Sequence, residues 1–296
     1  MKMKKALLLA MLMGLLLGAC AKNTPKTPET PSSAIQTITQ GLNEGKPAVV
    51  WEAMPASYQT DVTGLAHAFA TNMDAEIYDK AFGMLGKVTN VLKTKKDFFL
   101  NSALTQNAPI DKEKLTTNWN AVVGLFTAIT ASELNKLENL KTIDIGKFLQ
   151  KDGAKIFSTL RTVASIQEGN PLDTLAGIKV ELVQSEDDSA TVKITVPNEE
   201  EEEEIDMIKV EGKWIPKEMA EDWSNMITDG KASLEDMAQN ALAEKKPMVL
   251  GMMAGVEAAI DQLTQSKTQE EFDKVIGGLM GSMMGGMMGP GQMPTP

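Results

Sequence analysis

The 296 residues contain one histidine, His67, and one cysteine, Cys20. His67, Thr71 and Asp74 fall at spacings that put them on one face of a helix, the arrangement in which a carboxylate could orient an imidazole for general-base work. A lone histidine among alanines is more often a packed or surface residue, and this is the bland reading to beat. A single histidine and a single cysteine exclude a His-rich or Cys-rich metal site. The chain has no GxSxG elbow, phosphate-cradling Walker loop, HExxH or dinucleotide fingerprint. Carboxylates are plentiful, with 40 Asp and Glu in all, but abundance without spacing names no acid–base pair. Two compositional runs could bind ions. Glu199–Glu204 is six successive glutamates and could attract Ca²⁺ or a basic partner, although it lacks the alternating ligands and glycine of an EF-hand loop. A solvated hairpin loop is the simpler account of it. Residues 277–296 hold six methionines and seven glycines with no charge. Their thioethers suit Cu(I), but no His or Cys reinforces such a site.

Cys20 has a different context. Met1–Lys5 carries three lysines, and Ala6–Ala19 is a run of 14 uncharged, mostly apolar residues. As a helix this run reaches roughly 21 Å, against roughly 30 Å of bilayer hydrocarbon, so it suits a targeting segment better than a permanent span. Leu17-Gly18-Ala19-Cys20 resembles the lipobox of bacterial lipoproteins. The resemblance implies cleavage before Cys20, acylation of Cys20 (palmitate among its chains), and no role for Cys20 in a disulfide or as a metal ligand. Ala21 is not the aspartate of the common enterobacterial retention pattern, which implies the periplasmic face of the outer membrane in a Gram-negative cell. Two or more acyl chains anchor durably where one does not.

Removal of residues 1–19 would leave 277 residues and take the net charge from −11 to −14, because three lysines go with them. Arg161 is the only arginine. This balance excludes nucleic acid, whose phosphates need a basic footprint. It also disfavours electrostatic adhesion to an anionic bilayer. The partners it allows are the membrane through the N-terminal lipid, another envelope protein, or a cationic ligand.

The elements that would position these residues are mostly helical. Residues 20–33, with three prolines, read as a tether. Apolar residues recur at helical spacing through 34–169, with Asp111, Ser132 and Asp144 as candidate N-caps. Asp111 would open one helix through Leu115, Trp119 and Ile129. After Gly169-Asn170-Pro171 the period falls to two, and Ile178–Pro216 reads as an antiparallel meander within 170–217. Its turns fall at Glu186-Asp187-Asp188 and Glu211-Gly212-Lys213, with Trp214 and Trp223 expected to cover one end of the sheet. This hairpin faintly resembles the last hairpin of NTF2-like or cystatin-like lipoprotein domains, although a long run of helices precedes it here. Helix returns over 218–276, packing on the preceding parts, and Thr268 with Glu271 fits a capping box. Residues 277–296 are expected to be a disordered tail, since glycine disfavours helix.

The expected fold is therefore α+β and mostly helical: a bundle-like N-terminal part, a small antiparallel meander and C-terminal helices. The expected function is a lipid-anchored envelope protein that binds or scaffolds, with no catalytic residue and no cofactor assigned. A carboxylate-dependent periplasmic hydrolase and Cu(I) handling through the tail are the alternatives.

Overall fold

The computed structural model describes residues 30–107, 111–167, 170–197, 202–238 and 245–287. Cys20 and the lipobox, the tether before Thr30, and Met288–Pro296 lie outside the described residues. The architecture is α+β and mostly helical, with a four-stranded antiparallel sheet between helical segments.

Among the described residues eight longer helices frame the structure: α1 (Pro31–Asn43), α2 (Ala56–Asn72), α3 (Ala75–Thr94), α4 (Trp119–Ala131), α5 (Ala154–Ala164), α6 (Lys217–Asp236), α7 (Lys246–Gln265) and α8 (Gln269–Met287). Short side chains at their starts explain several boundaries. The carboxylates of Asp74, Asp111 and Asp144 each accept two backbone N–H groups of the turn that follows, satisfying donors that have no partner within a helix. Thr30 and Ser33 form a reciprocal capping box ahead of α1. At α8 the Thr268 hydroxyl accepts from Glu271 N (3.2 Å), while the Glu271 carboxylate reaches back to Lys267 N (2.7 Å). The helix expected after Asp111 is broken. It ends at Thr117, and Trp119 begins α4 with its indole N–H donated to Leu92 O at 3.0 Å. Asp144 caps a short helix through Phe148, and a π-helical turn at Leu149–Gly153 joins it to α5.

The sheet runs β1 (Lys179–Ser185), β2 (Ser189–Thr195), β3 (Glu203–Val210) and β4 (Lys213–Pro216), each paired with the next. The register is fixed by pairs such as Val180↔Ile194, Val192↔Ile205 and Lys209↔Trp214. A bulge interrupts β1 between Leu182 and Gln184. The β3–β4 turn has two residues with positive φ, Glu211 (51°) and Gly212 (77°), as the twist of a tight hairpin demands.

Alternation splits the sheet between two cores. Val180, Ala190, Val192, Ile194, Met207 and Trp214 face α1. Ile208, Val210 and Ile215 face the main core, where Trp51, Tyr58, Phe148, Met219 and Trp223 are buried. Trp214 and Trp223 therefore lie on opposite sides of the sheet instead of covering one end together, because one residue step along a strand reverses the face. Tyr58 and Trp223 stack with centroids 3.9 Å apart, and the Trp223 indole N–H donates to Asp61 Oδ2 at 2.9 Å. Arg161 donates both to the backbone carbonyl and to the side-chain oxygen of Asn43, tying α5 to the carbonyl end of α1.

Two boundaries differ from the sequence expectation. The glutamate run is not wholly a loop: Glu203 and Glu204 belong to β3, opposite Ile194 and Lys193. Lys193 Nζ sits 3.2 Å from Glu181 and 3.1 Å from Glu202, which offsets the repulsion that would keep the run solvated. Residues 198–201 lie outside the described residues. Order also does not stop at Ile276, since α8 continues to Met287. Leu279 packs on the cluster of Phe272, Ile276, Ile260 and Leu263, and this contact with α7 supports a helix that its glycines alone would not.

Candidate functional site

The three residues that could have made a base do not converge. His67 lies in the middle of α2, half-buried, with its Nε2 buried and without a hydrogen-bond partner among the described residues. The Thr71 hydroxyl donates to the His67 backbone carbonyl (2.8 Å), not to its ring. Asp74 is committed elsewhere. One carboxylate oxygen caps α3 through Glu76 N (3.0 Å) and Ile77 N (3.1 Å), and the other accepts from Lys246 Nζ at 2.7 Å. Lys246 holds the Asp74 carboxyl below its ordinary range, with the capping N–H groups adding to the effect. Among the described residues no three His, Cys, Asp or Glu side chains are grouped to hold a metal ion.

The Asp74–Lys246 pair is one end of an ionic seam between α3 and α7. Lys246 also meets Glu76 (3.0 Å), Glu257 lies between Lys80 and Lys87 (2.9 Å to the latter), and Lys87 reaches Asp261 at 2.8 Å. The two lysines pull the Glu257 carboxyl down to about 2. Beyond it, Lys95 Nζ donates to Ser266 O at 2.6 Å, closing the α7–α8 turn onto α3. Beneath these contacts Val91 packs with Ile260, Leu263, Phe272 and Ile276. The seam and this apolar layer fix one side of α7 and so decide which side faces outward.

That outward side carries no charge. Ten consecutive residues, Pro247–Val256, are uncharged, and so is everything after Lys274. Met248 is 57% exposed, Met252 65% and Val256 40%; on α8 Met280 is 44% exposed. Gly251, Gly255, Gly277, Gly278 and Gly281 each have open space where a side chain would begin. The result is a face of long, soft methionine side chains beside shallow glycine notches, on a molecule whose surface is otherwise strongly acidic. Two hollows lie elsewhere among the described residues. A groove of about 520 Å³ lies between α3 (Asp79, Phe82) and the 130–138 segment, where Asn135 Nδ2 donates to Thr130 O at 3.3 Å. A smaller hollow of about 320 Å³ lies beside Thr30, Leu182 and Trp214, with Lys209 Nζ 5.1 Å from the Trp214 ring centroid.

No family model, curated protein or solved structure matches this chain. Sequence reasoning singled out the methionines after residue 277 as a possible copper ligand set or tail. It missed the companion face on α7, although the signal was present: ten uncharged residues with methionines at 248 and 252 and glycines at 251 and 255, each pair one helical turn apart. No described helix is long and apolar enough to cross a membrane.

Proposed function

We propose that the chain is a lipid-anchored cell-envelope protein, held through Cys20, whose helical body binds or scaffolds another macromolecule. The observation that carries the binding half is the uncharged Met/Gly face of α7 and α8. Exposed apolar surface of this kind, on a body with 40 acidic residues, marks an interaction surface, and methionine adapts its shape to a partner. The anchoring half rests on Leu17-Gly18-Ala19-Cys20, with a proline-bearing tether behind it. In a Gram-negative cell this reading puts the protein at the outer membrane facing the periplasm. The test is Cys20→Ser in the full chain. The variant is expected to lose fatty-acid labelling and to move from the membrane to the soluble fraction. Labelling that persists in the variant, or a wild-type chain that never labels, overturns the assignment.

A further inference from the structure

We infer that the partner on the α7–α8 face is a second copy of this chain. The inference rests on the lipid-anchored reading above and specifies what the exposed face meets. Two properties of the face select this occupant, and a third sets how strongly it is held.

Charge is the first. The chain carries net −11, or −14 without its first 19 residues, so a basic partner would be drawn to the acidic surface and gain nothing from a neutral patch. A second copy offers the same ten-residue uncharged stretch, and no ion need be desolvated when the two meet. The charges that bound it, Lys246 and Glu257, are already paired within the protomer to Asp74, Glu76, Lys80 and Lys87.

Shape is the second. A two-fold interface must be self-complementary, since the same patch serves both sides. Met248, Met252 and Val256 project, while Gly251 and Gly255 leave open notches on the same helix. Two α7 helices crossing near Gly251 can set Met252 of each into the glycine notch of the other. A bilayer would reward apolar area, which glycine lacks, whereas a facing helix rewards close backbone approach.

Area is the third. Ten helical residues span about 15 Å, and two neighbouring helices about 20 Å across, so the face offers roughly 300 Å² per protomer. A stable interface needs about 800 Å² from each partner. The pair is therefore weak in free solution and forms when anchoring confines copies to one membrane, where effective concentration replaces affinity.

The test uses the full chain in native membranes with a short bis-maleimide. Met252→Cys supplies a reactive thiol, because an acylated Cys20 has none, and Ser224→Cys on exposed α6 is the control. The expected result is a crosslinked species of twice the chain mass from Met252→Cys, not from Ser224→Cys. Introducing Met280→Glu into the Met252→Cys chain should reduce that product at least about tenfold, since it sets like charges against an apolar face. Met280 is exposed, so folding should not suffer, and unchanged circular dichroism checks this. Equal yields from the two cysteine variants, a product containing a different protein, or burial of position 252 in lipid each overturn self-association. A product with a different protein leaves the binding proposal standing. Crosslinking of the wild-type chain through Cys20 overturns the anchor assignment instead, so the two failures are distinguishable.

Discussion

Replacing Trp223 with phenylalanine isolates the bond that ties α6 to α2. The indole N–H donates to Asp61 Oδ2 at 2.9 Å while the ring lies parallel to Tyr58 at 3.9 Å. Phenylalanine keeps a ring against Tyr58 but removes the donor and part of the buried volume. A hydrogen bond to a charged group contributes about 1.5–3 kcal/mol, and the smaller ring adds about 1 kcal/mol through imperfect filling. Trp223 is 6% exposed, so little water can replace the lost partner. The sum is about 2.5–4 kcal/mol of destabilisation, which urea unfolding followed by circular dichroism would read as a lower midpoint at unchanged slope. A cycle with Asp61→Ala, which removes the acceptor, separates the two contributions, and a coupling of at least about 1 kcal/mol is expected between the positions. A Trp223→Phe loss below about 0.5 kcal/mol, or a coupling near zero, would refute the argument that this bond joins the helices.

Two further outcomes follow from the electrostatics and the turn geometry. Glu257 has its carboxyl depressed to about 2 from an ordinary 4.5, so the unfolded chain binds its proton at higher pH than the folded one. The stability it contributes is thus present above about pH 4.5 and is lost as pH falls toward 2; Glu257→Gln should flatten the acid limb of a stability–pH curve, and parallel curves would contradict this. Glu211 Oε2 accepts from Ser57 N at 3.2 Å, capping α2 where Pro55 supplies no side-chain cap, so Glu211→Ala should lower the midpoint of thermal unfolding, while an unchanged midpoint would deny the capping role.

Much of the scaffold was legible because its signals are local. Asp111 and Thr268 sit where the chain must satisfy free N–H groups, and the period of two over Ile178–Val196 announces strands whatever surrounds them. The break at Asn118 and the π-helical turn at Leu149–Gly153 were not legible. They depend on what the next turn packs against, as the Trp119 bond to Leu92 illustrates. The double coverage of β3 was hidden for the same reason: Met207 and Ile208 are both apolar, and only the tertiary fold shows that each faces a different core. His67, Thr71 and Asp74 satisfied a helical spacing rule, yet Asp74 had a competing duty at the α3 terminus. The Met/Gly face on α7 could not be told from a core stripe without knowing that α3 and α8 take the other sides of that helix.

The four-stranded sheet also has a liability at its open edge. Among the described residues β1 is unpaired on its outer side, with Leu182 and Val183 about half exposed. Such an edge is a template for adding a foreign strand. The bulge between Leu182 and Gln184 breaks the regular spacing of the edge's donors and acceptors just where its side chains are most apolar. Glu181 before it and Glu186-Asp187-Asp188 after it place acid at both ends of the exposed stretch. The irregularity thus acts as a guard against edge-to-edge aggregation.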